Sequence, residues 1–271
     1  MRVLDLFSGI GGFSLGLERA GMETVAFCEI DAYPRKVLAK HWPGVPIYED
    51  VRDVSKIRLE SDGIRGIDVI TGGFPCQDIS GAGKQAGIEG ERSGLWGELA
   101  RIIGDIRPRY AIVENVTALI SGDNGRWFGR VLGDLAEVGY DCQWHCIPAA
   151  YVGLNHHRDR IWIIAYPKRD GIDKHVGISR IQIARTIFDG LPYIWEKEII
   201  GKTWIESKLD FGRVAPEKWW GEGQQVETKS LLLRDDDGIP GKLDRRLKAL
   251  GNAVVPQIPE IIGKAIMQTL D

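Results

Sequence analysis

Residues 2–21, RVLDLFSGIGGFSLGLERAG, decide how the chain folds. The run RVLDLF at 2–7 is short, apolar and built of strand formers. Ser8 to Gly12 follow as a glycine-rich turn, and FSLGLERA reads as a helix stopped by Gly21. A strand that runs through glycines into a helix lets the backbone approach a ligand closely. The helix start then offers free N–H groups.

The same alternation continues outward. TVAFC at 24–28 reads as a strand, and DAYPRKVLAKHW as a helix with Asp31 as its cap and Pro43-Gly44 as its stop. IDVIT at 67–71 is a strand, GLWGELARIIGDI at 94–106 a helix, and YAIVEN at 110–115 a strand. RWFGRVLGDLAEVG is helical, and YDCQWHCI and RIWIIAY are strands. Strands alternating with helices predict an α/β fold: a Rossmann-like, mostly parallel sheet with helices on both faces. Ligands of such sheets sit at the carboxyl ends of strands, so the loops after residues 7, 28, 71 and 114 are the informative ones.

The rhythm breaks near Tyr166. Residues 167–245 are richer in charge, Gly and Trp, with Trp195, Trp204, Trp219 and Trp220 among Lys and Arg. They read as a small second domain or insertion. PQIPEIIGKAIMQTL returns to a helical pattern, with Pro256 near its start. The expected division is 1–166 with 246–271 as one domain and 167–245 as the other.

The composition of the 271 residues is that of a globular protein, with 44% hydrophobic and 27% charged residues. It excludes collagen, a disulfide scaffold and a disordered tail. Lys+Arg number 35 and Asp+Glu 38, a net charge of -3, which argues against a surface that grips nucleic acid all round and leaves a local basic cleft open. No apolar run is long enough to span a bilayer, and MRVLDLFSGI lacks the features of a signal peptide, so a cytoplasmic protein without membrane contact is expected. Cys28, Cys76, Cys142 and Cys146 are too few and too scattered for a staple framework.

Chemistry-bearing residues gather at the strand ends. Glu29 ends the second strand, where an acid can grip the two ribose hydroxyls of an adenosine cofactor, and Asp50 follows the next segment. With the glycine turn these favour a nucleoside-containing cofactor. The spacing is not GxGxxG and no GK[ST] follows, so NAD and ATP lose ground. Cys76 lies in Gly72-Gly73-Phe74-Pro75-Cys76-Gln77 after the third strand, a setting suited to a nucleophilic thiolate rather than an inert buried thiol. Glu114, in Glu114-Asn115-Val116, would face the same cleft and could hand over a proton; a helix cap or surface ion pair is the bland alternative. Arg158 and Arg160 would share a face of an extended segment and suit phosphate or carbonyl oxygens, the alternative being two solvated arginines.

Taken together, these motifs resemble the bacterial and phage DNA (cytosine-5)-methyltransferases. DLFSGIGG is similar to that family's cofactor loop, GGFPCQ to its nucleophile loop and ENV to its acid motif. HHRDR stands where the family has Gln-x-Arg-x-Arg, with His156 at the Gln position, and Ile30 stands where many members carry an aromatic. ERSGLW at 91–96 and LGNAV at 250–254 also match, and all fall in the family's order. The resemblance covers residue 3 to about 166 and again 245–270.

The resemblance implies S-adenosyl-L-methionine as cofactor, surrounded by Phe7, Ser8, Gly9, Ile10, Gly11, Gly12, Glu29, Ile30, Asp50, Val51, Leu95, Asn252, Ala253 and Val254. Glu29 would hold the ribose, and Phe7 and Ile30 would sandwich adenine. Cys76 would attack carbon 6 of a flipped-out cytosine and Glu114 would protonate or hydrogen-bond nitrogen 3. Arg160 would hold the base carbonyl, Arg158 a phosphate, Asn115 would brace the nucleophile loop, and Gln77 would fill the gap in the duplex. As partners it implies double-stranded DNA and a separately acting cognate restriction endonuclease. Residues 167–245 would read the target.

Competing readings are an RNA (tRNA) cytosine-5 methyltransferase on the same catalytic domain and an inactive DNA-binding relative. The presence of both Cys76 and Glu114 disfavours the second. A Rossmann oxidoreductase would need GxGxxG and no PCQ. A zinc site from Cys142, His145, Cys146, His156 and His157 is not expected. Its spacing fits no finger pattern, and His145 would point away from the two cysteines.

Overall fold

Residues 2–6 place apolar side chains on both sides of an extended segment, so this strand can only be central and covered on both faces. In the computed structural model, which describes residues 1–75, 95–154, 158–168 and 249–269, that is its position. β1 (Arg2–Leu6) is followed by α1 (Gly12–Arg19), β2 (Glu23–Cys28), α2 (Ala32–His41), β3 (Ile47–Tyr48), α3 (Lys56–Ser61) and β4 (Val69–Gly72). Then come α4 (Leu95–Ile106), β5 (Tyr110–Val116), α5 (Ala118–Ser121), α6 (Arg126–Glu137), β6 (Tyr140–Pro148), β7 (Asp159–Pro167) and α7 (Gln257–Met267). The described residues all belong to one folding unit, and most of the expected small domain lies outside them.

The seven strands run in the order β3-β2-β1-β4-β5-β7-β6. The first five are parallel, and β7 is antiparallel to both β5 and β6. The order in which strands are added reverses between β1 and β4, and a crevice opens at such a switch point. The antiparallel sense of β7 matters for the site: its first residues start at the edge where β1, β4 and β5 end.

Alternation splits the core in two. Leu4, Leu6 and Ile70 face Trp96, Leu99 and Ile103 of α4 and Val131 and Leu135 of α6. Val3, Val69 and Ile112 face Phe13 and Leu17 of α1 and Ile258, Ile262 and Ile266 of α7. Ile258, Ile262 and Ile266 of α7 recur every fourth residue and are almost wholly buried, each contributing about 1.5–3 kcal/mol. α7 approaches α1 closely because glycine stands at the contact. A Cβ on Gly263 would lie 2.8 Å from the Ala20 Cβ, and one on Gly16 2.9 Å from the Pro259 Cβ.

The expected long elements are present within a residue or two at most ends. Asp31 caps α2 by accepting from the Tyr33 N–H at 3.2 Å. β3 and α3 had no counterpart in the sequence reading. β3 has two residues and α3 six, too short for a period to show.

Candidate active site

The loop after β1 is bent by conformation rather than by composition alone. Phe7, Gly9 and Gly11 all have positive φ, 53°, 53° and 86°. Phe7 is a bulky residue in the left-handed region, strain of a kind that gathers at functional sites. Gly11 could not be replaced without cost, since a Cβ there would lie 2.6 Å from the Trp42 ring. Ser8 sutures the loop: its hydroxyl donates to the Asp5 carbonyl at 2.6 Å and accepts from the Cys28 N–H at 3.2 Å. The loop is thereby tied to the end of β2.

Glu29 sits at that end. Its carboxylate accepts from the Gly9 N–H at 2.7 Å and from the Asp31 N–H at 2.8 Å, one on each oxygen. Two backbone donors orient the group and leave further lone pairs for a ligand. Ile30 beside it is 72% exposed, an apolar side chain held out next to an oriented carboxylate. Asp50 caps the turn after β3, accepting from the Arg52 N–H at 2.9 Å, and Val51 behind it is buried. Leu95 opens α4 and packs against the core.

The C-terminal segment closes on the same loop. A Cβ on Gly12 would lie 3.0 Å from the Val254 Cβ and would strike the Val254 carbonyl. Arg158, expected from the resemblance to hold a phosphate, is bonded here within the protein. Its guanidinium donates to the Gly251 carbonyl and, at 3.0 Å, to the Ala253 carbonyl. Residues 250–254 lie against α1, and their carbonyls are the acceptors that claim it.

The nucleophile side is described up to Pro75; Cys76, Gln77, His156 and His157 lie outside the described residues. What leads into Cys76 is held on three sides. The Phe74 carbonyl accepts from the Asn115 side-chain N–H at 3.2 Å, while the Asn115 side-chain carbonyl accepts from the Val116 N–H at 2.8 Å. The Phe74 ring is buried against Trp96, 5.3 Å between centroids, and the Trp96 indole donates to Asp134 at 2.7 Å. Gly73 lies against Glu114, where an added Cβ would be 3.1 Å from the carboxylate.

Glu114 is 9% exposed and pairs with the Arg160 Nε at 3.0 Å. Burial holds its carboxyl above the usual range, against the smaller downward pull of the Arg160 and Arg158 guanidiniums. A carboxyl so balanced can hold and release a proton. Arg160, unlike Arg158, stays at the strand end beside the acid, 22% exposed.

Three residues were not assigned roles from the sequence. Asp5 is buried and bonded to Ser14 and Thr71. Arg35 donates to the Ile30 carbonyl at 2.9 Å and pairs with Glu49 at 3.2 Å. The Trp42 indole donates to Glu18 at 2.7 Å, locking α1 to the end of α2. A charged residue at a strand end was the available signal for Asp5; nothing local marked the other two.

Comparison with known proteins converges on one family. Residues 1–219 match the family model described as C-5 cytosine-specific DNA methylase. The chain is 37% identical to the Type II methyltransferase M.Eco47II of Escherichia coli, over 99% of the chain and 79% of that relative. It is 28% identical to the Type II methyltransferase M2.BsuMI of Bacillus subtilis (strain 168), over 99% of the chain and 76% of the relative. Among solved structures, an E. coli prophage-encoded DNA modification methyltransferase superposes with a TM-score of 0.54 at 26% identity, covering 62% of this chain and 47% of that one.

Proposed function

The chain belongs to the C-5 cytosine-specific DNA methylase family and methylates carbon 5 of cytosine in DNA, and from that premise we propose the part each residue of the site plays. The observation that carries the assignment is Glu114: a buried acid, paired with Arg160, packed against the backbone that leads into Cys76. Carbon 5 of cytosine is a weak nucleophile. Addition of the Cys76 thiolate to carbon 6, with a proton delivered by Glu114 to nitrogen 3, makes carbon 5 enamine-like. Loss of the carbon 5 proton later expels the thiolate. Arg160 holds the base carbonyl and keeps Glu114 oriented. Asn115 braces the start of the nucleophile loop through the Phe74 carbonyl. The base reaches this pocket only when flipped out of the duplex.

The residues fit S-adenosyl-L-methionine. Phe7 and the exposed Ile30 offer apolar faces for adenine, and Glu29 offers an oriented carboxylate for the ribose hydroxyls. Asp50 suits the adenine amino group, and Gly9 to Gly12 with Asn252 to Val254 frame the remainder. When bound, the cofactor supplies an electrophilic methyl group. Arg158 keeps its share of the site in place by holding the carbonyls of residues 251 and 253. Residues 167–245 read the target sequence, and the Type II names of the relatives support a separately acting restriction endonuclease as the cellular counterpart.

The test is methyl transfer from radiolabelled S-adenosylmethionine to mixed-sequence duplex DNA, with tRNA in parallel, followed by digestion to nucleosides. Label in 5-methylcytosine of DNA, lost in Cys76→Ser while cofactor affinity by calorimetry is kept, supports the assignment. Label confined to tRNA, or full turnover by Cys76→Ser, overturns it.

A further inference from the structure

The proposed chemistry uses the cofactor loop on one side and the nucleophile loop on the other, and gives no role to the buried carboxyl of Asp5. Asp5 has no exposed surface. One of its carboxyl oxygens accepts from the Ser14 hydroxyl at 2.7 Å and the other from the Thr71 hydroxyl at 2.7 Å. Ser14 and Thr71 are themselves wholly buried. Three polar side chains therefore meet where Val3, Val69 and Phe13 supply an otherwise apolar layer. Burying such groups is unfavourable unless they bond one another, and here each bond joins a different element.

Their positions give the cluster its meaning. Asp5 is on β1, the strand shared by both halves of the sheet, and is in register with Thr71 on β4. Ser14 lies in the first turn of α1, directly after the glycine loop. Thr71 is followed by Gly72, Gly73 and Phe74, the backbone that touches Glu114 and Asn115 on its way to Cys76. The start of α1 and the end of β4 do not bond each other through these side chains; each bonds Asp5. Burial pushes the Asp5 carboxyl up to about 7, as expected of an acid whose side-chain partners are neutral hydroxyls.

We propose that Asp5, acting through Ser14 and Thr71, is a positioning residue that couples the cofactor loop to the nucleophile loop, so that occupancy of one sets the geometry of the other. This rests on the assignment of the two loops under the proposed function. Coupling of this kind is reciprocal and is typically worth about 5–150-fold in affinity.

The experiment measures the coupling rather than either site alone. The full chain is alkylated with iodoacetamide, with and without S-adenosylhomocysteine, and labelling of the Cys76 peptide is followed by mass spectrometry. The exposed Cys146, on β6, serves as the internal reference. Calorimetry gives the affinity for S-adenosylhomocysteine before and after Cys76 is alkylated. In the wild-type chain the nucleoside shifts the Cys76 labelling rate by about fivefold or more, and alkylation shifts the affinity comparably. Asp5→Asn, Ser14→Ala and Thr71→Val each bring both ratios toward one. Ser14→Ala and Thr71→Val, each cutting one of the two bonds, keep the test open if Asp5→Asn fails to fold. A merely structural Asp5 would change affinity or reactivity while leaving the ratio between bound and free states unaltered, and that result overturns the proposal. A wild-type chain that binds the nucleoside without any change at Cys76 also overturns it. A wild-type chain that binds no nucleoside overturns the functional assignment and the coupling together.

Discussion

Two helical glycines in this protein should respond to alanine with opposite signs. Gly16 is buried in α1, and an added Cβ would press on the Pro256 carbonyl while lying 2.9 Å from the Glu260 N and 2.9 Å from the Pro259 Cβ. Two of these atoms are main chain and the third belongs to a proline ring, so no rotamer change relieves the contact. The Pro256 carbonyl already accepts from the Glu260 N–H at 3.1 Å, so displacing it displaces the first turn of α7. Gly133 in α6 is exposed, and a Cβ there would meet nothing within 4 Å. Alanine in place of glycine favours a helix by about 0.5–1 kcal/mol. Overpacking at a site that cannot yield costs about 1–3 kcal/mol. Gly133→Ala is therefore expected to stabilise by about 0.5–1 kcal/mol, and Gly16→Ala to destabilise by a net of about 1–2 kcal/mol. Thermal unfolding followed by circular dichroism reads each kcal/mol as a shift of about 2–4 °C. Gly16→Ala should also weaken S-adenosylmethionine in calorimetry, because the shift of Pro256 carries Val254 with it; Gly133→Ala should not. Equal stabilisation by both substitutions would show that α7 does not pack on α1 in this way.

Four further outcomes are expected. The Asp5 carboxyl is raised from 3.8 to about 7, so its contribution to folding is fully present below the unfolded value and is lost as pH rises through about 7. Urea unfolding at pH 5 and pH 8 should show the wild type losing about 2–3 kcal/mol more than Asp5→Asn, and equal losses would contradict the burial. Glu114→Gln should lower kcat by about 10²–10⁴-fold with cofactor affinity intact. Because Arg160 holds the Glu114 carboxyl down against burial, Arg160→Ala should move the high-pH limb of kcat/KM upward; a downward move refutes the pairing. Glu29→Ala should weaken S-adenosylmethionine by about 10–100-fold, the worth of hydrogen bonds to a charged group. Bisulfite sequencing of the methylated DNA should then report an unaltered target, and a changed one would be evidence against placing Glu29 at the cofactor alone.

The order of long strands and helices was legible in the sequence because periodicity is a local property: a residue's neighbours at two or at three and four positions away announce the exposed face. The residue types of the site were legible for a related reason. Glycines, an acid at a strand end and Pro-Cys after a strand are each short-range arrangements with a chemical meaning, which is why Glu29, Asn115 and Glu114 stand out as candidates in the sequence. Who bonds whom across the sheet was not legible. Arg158 and Arg160 look alike in HHRDR, yet one reaches carbonyls 93 and 95 residues along the chain and the other reaches Glu114. That division follows from the antiparallel placement of β7 and from the return of residues 250–254 against α1. The bond of Asp5 to Thr71, 66 residues away, depends likewise on β1 pairing with β4. Strand order is set by how all the helices share the two faces, a property of the whole packed core that no window of sequence contains.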